Sequence, residues 1–351
     1  MGRTRVTLAD VAAASGVSVT TASLVLTGRA RELRISEAAE SRVRSTALEL
    51  GYRRNTLPVG PRAGRMPTIG FVSDTVASSG LAGDMVRGAV DAAYRRGFML
   101  FIGESGGDPV VERTLIETMR DHRADGIVFA AMYTRAVGVP VGLNLGSAVL
   151  LNATPATHTT APSVVPDELR AGRLAARVLV EAGHESGIHL IGAGPGLNDI
   201  PPNSIAAVER LVGLRQVFKA AGVDVVSAHW RRKWTPEEGY DATRELLRRH
   251  RPKALVCLND RLAFGAYQAL GEAGLSVPDD VSVIGFDDHP IASWMRPRLT
   301  TIALPHHELG ERAVEVLLDL LERRGRAHQT PMVHRVPMPL RQGGSVAPPR
   351  S

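Results

Sequence analysis

The stretch from Thr7 to Leu26, TLADVAAASGVSVTTASLVL, predicts two short helices joined by a tight turn. Thr7 is a good N-cap, and Asp10 three residues later completes an acidic capping box. Gly16 supplies the left-handed residue that ends the first helix, and Ser18 caps the second. The inward face of the second helix is predicted to contain Ala22, Val25 and Leu26.

The outward face of the second helix is small, apolar and rich in hydroxyl groups. It contains Val19, Thr20, Ser23 and Leu24, which share a side because they stand at positions i, i+1, i+4 and i+5. A solvated helix of this length would normally carry Glu and Lys there. The major groove of DNA admits such a helix. An ordinary helical hairpin packed on a larger domain fits the same spacing, so the pattern alone leaves both interpretations open.

The distribution of charge supports a nucleic-acid-binding head. The chain has 351 residues, enough for two or three domains, and 44% hydrophobic and 22% charged residues, as in ordinary globular proteins. Residues 1–65 contain 11 Arg against 5 Asp and Glu, whereas the remaining residues contain 31 basic and 31 acidic side chains. All of the excess positive charge therefore lies in the N-terminal module, as expected for a DNA-binding head on a neutral body.

The single cysteine and the apolar patterning predict a cytoplasmic protein. One cysteine excludes an internal disulfide framework. Cys257 lies in an apolar run and is predicted to be a buried structural thiol. The N-terminus has no apolar region typical of a signal peptide, and no apolar run approaches the ~20 residues of a membrane span.

The domain boundaries follow from composition. Residues 1–52 form the predicted head, in which a third helix over 36–50 packs through Val43, Ala47, Leu48 and Leu50. Residues 53–66 are rich in Pro, Gly and Arg and predict a linker. Residues 67–341 form the body, and the Gly- and Pro-containing tail 342–351 is predicted to be disordered.

The body alternates short apolar strands with helices of 10–16 residues from residue 68 onward, which predicts doubly wound parallel sheets. Two similar runs suggest two lobes, roughly 67–163 plus 293–326 and 164–292 plus 327–341. Ligands of such folds bind beyond the carboxyl ends of the strands, here in the cleft between the lobes.

Residues 7–28 resemble the helix-turn-helix of the lactose-repressor (LacI/GalR) family, whose pattern is T-L-x-D-V-A-x-x-A-G-V-S-x-x-T-V-S-x-V-L-N. Ser15, Ala22 and Thr27 depart from the pattern. The resemblance implies that Val19, Thr20 and Leu24 read bases and that Thr7, Thr21 and Ser23 contact the DNA backbone. The DNA-binding residues that it implies are Thr7, Ser18, Val19, Thr20, Thr21, Ser23, Leu24 and Asn55.

The body also resembles this family and, within it, the type I periplasmic sugar-binding fold. The matching segments are Arg210-Leu-Val-Gly213, Cys257-Leu-Asn259-Asp260, the run from Gly274 to Asp288, and Leu299-Thr-Thr301-Ile. The effector-binding residues that the resemblance implies are Asp74, Arg210, Trp234, Asn259 and Asp287. A surface ion pair of Arg210 with Asp287 and a plain packing role for Trp234 remain open alternatives.

The resemblance implies a homodimeric transcription regulator, a repressor that binds a pseudo-palindromic operator in double-stranded DNA. Its effector would be a sugar or a related small polar molecule, and no membrane partner is expected. No cofactor or metal is expected, because Gly192-Ala-Gly194-Pro-Gly196 lacks the dinucleotide spacing and the histidines lack metal-ligand spacing. Two alternatives share the body: a solute-binding protein, which needs a signal peptide and no basic head, and a sugar-modifying enzyme, which needs a paired acid and base.

The linker departs from the family pattern. The usual hinge is a short helix with a leucine that wedges into the minor groove, but here Pro58, Gly60 and Pro61 occupy that segment. Proline removes a helical hydrogen bond and restricts the residue before it. The sequence therefore predicts that residues 56–63 stay largely extended, even on DNA.

Overall fold

The computed structural model describes residues 6–26, 30, 35–50, 52, 66–157, 161–196, 199–322 and 333–350. The chain divides into two compact units, residues 1–64 and 65–351. The predicted extended linker over 56–63 and the implied DNA contact Asn55 lie outside the described residues.

The N-terminal unit contains three helices: α1 (Leu8–Ser15), α2 (Val19–Leu26) and α3 (Glu37–Glu49). The predicted capping box is confirmed, and Gly16 is left-handed with φ 68°. The chain bends by 104° between α1 and α2, within the range of helix-turn-helix motifs. In the described parts of the chain, no single helix has the length and apolar composition of a membrane span.

The core of the head contains Val11, Ala12, Ala22, Val25, Val43 and Ala47. The prediction that Leu48 and Leu50 pack inward is wrong, because Leu48 is 82% exposed and Leu50 is also exposed. Val43 and Ala47 are four residues apart and lie on one helix face, whereas Leu48 is turned about 100° from Ala47 around the helix axis.

The body contains, in chain order, β1 (Thr68–Ser73), α4 (Gly83–Arg95), β2 (Met99–Glu104), α5 (Pro109–Asp121), β3 (Gly126–Val137), β4 (Ala148–Pro155), β5 (Ser163–Pro166), α6 (Glu168–Glu181), β6 (Ile188–Gly192), α7 (Ile205–Ala220), β7 (Val225–Trp230), α8 (Pro236–Leu247), β8 (Ala254–Cys257), α9 (Asp260–Glu272), β9 (Ser282–Asp287), α10 (Pro290–Trp294), β10 (Thr300–Ala303), α11 (His306–Glu322), β11 (Val333–Val336) and β12 (Leu340–Arg341).

These strands form two six-stranded sheets, and each sheet is the centre of one lobe. The first sheet has the order β11-β5-β4-β3-β1-β2 and is parallel. The second has the order β12-β10-β9-β8-β6-β7, in which β12 is antiparallel to β10. In the first lobe α4 and α11 cover one face and α5 the other, while α6 to α9 cover the second sheet. The predicted pair of parallel-sheet lobes is therefore confirmed.

The chain crosses between the lobes three times, after β5, β10 and β11. The predicted lobe boundaries were wrong for these three strands. β5 and β11 belong to the first sheet rather than the second, and β10 belongs to the second rather than the first. Such short strands take their partners through backbone hydrogen bonds, and the hydrophobic pattern does not specify which sheet they join.

The predicted disorder of the tail is wrong for residues 342–350, which pack on the second sheet. Ser345 is fully buried, and its Oγ accepts from the Thr300 amide at 2.7 Å and donates to the Val283 carbonyl at 2.6 Å. Ala347 hydrogen-bonds Ser282. A side chain at Gly343 would collide with the backbone of residues 298–299, so this glycine permits close packing rather than mobility.

Candidate effector-binding and DNA-binding sites

The exposed surface of α2 has the composition expected for contact with DNA bases. Val19 is 49% exposed and Thr20 is exposed, whereas Ala22 and Val25 on the opposite side are fully buried. Leu24 is half-buried. The predicted outward face is thus available at the start of the helix, where a recognition helix contacts base edges.

The hydroxyl groups around α1 and α2 fix the two helix starts. Thr7 Oγ1 donates to Asp10 Oδ2 at 2.7 Å and accepts from the Asp10 amide at 3.3 Å, and these hydrogen bonds lower the pKa of Asp10. Ser18 Oγ accepts from the Thr21 amide at 3.0 Å and lies 2.8 Å from Thr21 Oγ1. Both helix N-termini are exposed there, and backbone amides at such ends bind phosphate oxygens.

In the body, Arg210 on α7 lies at the centre of a buried ion-pair network and is 3% exposed. Its Nε and Nη2 donate to the two oxygens of Glu168 at 2.6 and 2.9 Å. Nη2 also donates to Asp287 Oδ1 at 2.9 Å, and Nη1 donates to the Leu258 carbonyl at 2.7 Å. The alternative of an Arg210–Asp287 ion pair is confirmed as to the pairing but wrong as to the surface, because the pair is buried. The effector contact implied for both residues stays a prediction.

Close packing of α6 against α7 positions Glu168 beside Arg210. A side chain at Gly172 would collide with the Arg210 backbone, and one at Gly213 would collide with the backbone of Leu169. The glycine of the Arg-x-x-Gly segment thus has a physical reason, because it lets the two helices approach. Burial alone would lower the pKa of Arg210, but Glu168 and Asp287 outweigh it and raise that pKa.

Asp287 ends β9 in a conformation that is unusual for a residue other than glycine, with φ 105°. Behind it, Asp260 accepts from the Thr301 hydroxyl at 2.7 Å and from the His289 amide at 2.8 Å. Burial, with a contribution from Asp287, raises the pKa of Asp260 well above its ordinary value. A side chain at Gly285 would collide with Asp260, so this glycine makes room for the carboxyl group.

Asn259 and Trp234 form a second pair at the same edge of the sheet. Asn259 caps α9 by accepting from the Leu262 amide at 2.8 Å, and its Nδ2 donates to the Trp234 carbonyl at 3.2 Å. The Trp234 indole donates to the Gly192 carbonyl at 2.8 Å and packs against the second-lobe core. These contacts hold both side chains in place at the carboxyl ends of the second-lobe strands, and the effector contact implied by the resemblance stays a prediction.

Asp74 follows β1 and is the implied effector residue of the first lobe. It is buried, and its Oδ2 accepts from the Met132 amide at 3.2 Å and from Arg135 at 3.1 Å. Arg135 stands on β3, which runs beyond its predicted end at residue 130. Sequence reasoning missed this partner because Asp74 and Arg135 are 61 residues apart.

Two contacts join the lobes at α7, the helix that carries Arg210. The backbone of Arg135 forms a β-bridge with Ser204, the N-cap of α7. Arg335 on β11 donates to both oxygens of Glu209, each at 2.7 Å. The helix that carries Arg210 is therefore in contact with the first lobe as well as the second.

The described residues contain no group of three or more His, Cys, Asp or Glu side chains arranged to hold a metal ion. Cys257 is fully buried, as predicted, and burial raises the pKa of its thiol, so it is not a reactive nucleophile.

Comparisons with known proteins identify the family of the chain. Residues 7–55 match the family model of bacterial regulatory proteins, lacI family, and residues 176–346 match that of a periplasmic binding protein-like domain. The ribose operon repressor of Escherichia coli (strain K12) is 31% identical over 315 residues, which cover 89% of this chain and 92% of that protein. The chain belongs to the LacI family. It is therefore a DNA-binding transcription regulator rather than an enzyme.

Other LacI-family proteins extend the similarity. The HTH-type transcriptional repressor PurR of Klebsiella pneumoniae (strain 342) is 29% identical over 340 residues, covering 93% of this chain and 94% of that protein. A crystal structure of a LacI-family regulator from Enterococcus faecium with bound ribose superposes with a TM-score of 0.62 and 26% identity, covering 81% of this chain and 100% of that one. The helix-turn-helix head and the two-lobed body predicted from the sequence are confirmed.

Proposed function

We propose that this chain is a cytoplasmic, homodimeric repressor that binds a pseudo-palindromic operator and responds to a sugar-like effector between its lobes. The observation that carries the effector proposal is the Arg210–Asp287 pair at the carboxyl ends of the second-lobe strands. The relative named for the ribose operon and the ribose-bound structure support a sugar as the ligand class.

Operator recognition is assigned to the exposed face of α2. Val19, Thr20 and Leu24 are proposed to contact bases. The residues proposed to contact the phosphate backbone, and so to position the head on DNA, are Thr7, Ser18, Thr21 and Ser23. Leu24 cannot donate a bidentate hydrogen bond to guanine and favours apolar contact, for instance with a thymine methyl group. Arginines of the head supply the salt-dependent part of the affinity.

Dimerisation is proposed through the edge of each lobe that ends in an exposed strand. The first sheet ends at β2, where Met99, Phe101 and Ile102 are exposed, and Tyr94 on α4 extends this apolar surface. The second sheet ends at β7, where Val226 and Trp230 are exposed. Exposed apolar edges of this kind are a liability in a monomer, and a twofold partner with the same surfaces would cover them.

The proposal is tested by screening the full-length protein against sugars and nucleosides by thermal shift, followed by operator binding with and without each hit. A ligand that binds the folded state raises the Tm. We expect a neutral sugar to raise the Tm and to change the operator affinity. A nucleoside that does both, with no response to any sugar, would refute the sugar proposal.

A further inference from the structure

The guanidinium of Arg210 has little capacity left for a ligand. A guanidinium has five N–H donors. Four of those of Arg210 are already used, two by Glu168, one by Asp287 and one by the Leu258 carbonyl. Burial raises the pKa of Glu168, but both of its oxygens accept a guanidinium donor, and this bidentate pairing is the geometry of an ionised carboxylate. The donors that Arg210 could offer to a ligand are therefore mostly occupied, and Glu168 takes two of the four that are used.

The capacity that remains near Arg210 is that of an acceptor. Asp287 uses Oδ1 for Arg210, and its Oδ2 has no donor among the residues that the structure describes. Asp287 is also more accessible than Arg210, since its side chain is 16% exposed. A ligand that reaches this point meets a carboxylate oxygen first, so it must offer a hydrogen-bond donor.

The charges around this point sum to a negative value. Arg210, with one positive charge, faces two carboxylates, Glu168 and Asp287. In the first lobe, Asp74 is balanced by Arg135. Burial lowers the pKa of His289 and of His306, which favours the neutral form of each. Exposed cations such as Arg261 are solvated, so salt screens their effect on the charge at this point.

We propose that Glu168 is a specificity-determining residue that makes the buried end of the site select neutral, hydroxyl-bearing ligands and reject carboxylates and phosphates. This inference rests on the effector site proposed above and goes further by assigning its charge preference to one residue. Glu168 acts through Arg210, because it occupies the donors that an anionic ligand would need.

The physical reason is that a neutral hydroxyl can replace its hydrogen bonds to water at this point, whereas an anionic group cannot and is also repelled by Asp287. A ligand hydroxyl can donate to Asp287 Oδ2 and lose little by leaving water. An anionic group at the same point faces Asp287 across a few ångströms and finds one free guanidinium donor. Like-charge repulsion at such a distance, at the effective dielectric constant typical of protein sites, changes an affinity by about tenfold or more.

The test compares matched neutral and anionic probes by thermal shift and calorimetry on the full-length protein. The probes are D-glucose and D-glucuronate, D-galactose and D-galacturonate, and D-ribose and ribose 5-phosphate. We expect wild type to bind at least one neutral member more tightly than its anionic partner by at least about tenfold. Glu168→Gln should reduce that ratio about tenfold or more, because the amide removes one negative charge and cannot accept both guanidinium donors.

The chain offers a matched control in Glu245, which pairs with Arg231 within the second lobe. Glu245→Gln makes the same chemical change outside the Arg210 network and should leave the neutral-to-anionic ratio unchanged. Glu168→Asp keeps the charge, so it should keep the preference even where its shorter side chain weakens overall binding. This variant keeps the inference testable if Glu168→Gln fails to fold.

The possible failures are distinguishable. If no sugar binds wild type, the proposed effector class is wrong and the inference falls with it. If a neutral sugar and its anionic partner bind wild type equally, the proposed function stands and the inference alone is refuted. An unchanged ratio in Glu168→Gln, or a lost preference in Glu168→Asp, also refutes the role of Glu168.

Discussion

Replacing Asp287 by Ala should remove the effector response while operator binding persists. The substitution deletes the 2.9 Å hydrogen bond to Arg210, and a bond of this charged kind contributes about 1.5–3 kcal/mol. Arg210 keeps its two bonds to Glu168, so its charge remains paired. Alanine must also adopt φ 105°, which adds about 1–2 kcal/mol of strain.

Together these effects predict a free energy of unfolding of the body lower by about 2.5–5 kcal/mol. Asp287→Asn separates strain from chemistry, because asparagine tolerates left-handed backbone better than alanine does. It should recover part of the lost stability and still weaken the effector, since its amide replaces the acceptor charge. Asp288→Asn is the matched control, because Asp288 pairs with exposed Arg341 away from Arg210.

The assay is operator binding by fluorescence anisotropy, with and without the sugar found by thermal shift, together with denaturant unfolding of each variant. Asp287→Ala should bind operator with the affinity of wild type in the absence of sugar, since the residue belongs to the body and not to the head. An Asp287→Asn protein that is folded and responds to the sugar as wild type does would refute the placement of Asp287 in the effector site.

Four further outcomes are expected. Leu24→Arg should change the preferred base of the selected half-site rather than merely weaken binding, and an unchanged half-site would contradict the assignment of the recognition face. His189→Asn should make thermal stability less sensitive to acid. Burial lowers the pKa of His189 to about 4, so the folded protein keeps this side chain neutral. The stability that it contributes above about pH 6.5 is therefore lost as the pH falls toward 4, and thermal unfolding across this range measures the loss. Ser345→Ala should lower the free energy of unfolding by about 1–3 kcal/mol, because it leaves the buried Thr300 amide without its acceptor, whereas a truly disordered tail would give no change. Ile102→Glu should shift the light-scattering mass from a dimer toward a monomer, and a dimer of unchanged stability would remove the β2 edge from the interface.

The head was predictable because its signals are local. The capping box of Thr7 and Asp10, the left-handed Gly16 and the cap Ser18 depend on neighbours three or four residues away, and the structure confirms each of them. The error at Leu48 came from counting apolar residues without tracking the helix face, which only the packing of α3 against α1 and α2 defines.

In the body, strand and helix alternation was enough to predict two parallel-sheet lobes, and the resemblance was enough to single out Arg210 and Asp287. It was not enough to find Glu168, Arg135 or Arg335. These partners stand 42, 61 and 126 residues from the groups they bind, so no local pattern connects them.

The sequence by itself therefore determined the kind of elements, the charge asymmetry of head and body, and the family. The tertiary structure decided which lobe each short strand joins, that the Gly-containing tail packs rather than frays, and that Glu168 occupies the donors of Arg210. The physical reason is range: caps and periodicity act within a few residues along the chain. Edge pairing, close backbone approach at glycine and burial of an ion pair depend on surfaces that exist only after distant segments have come together.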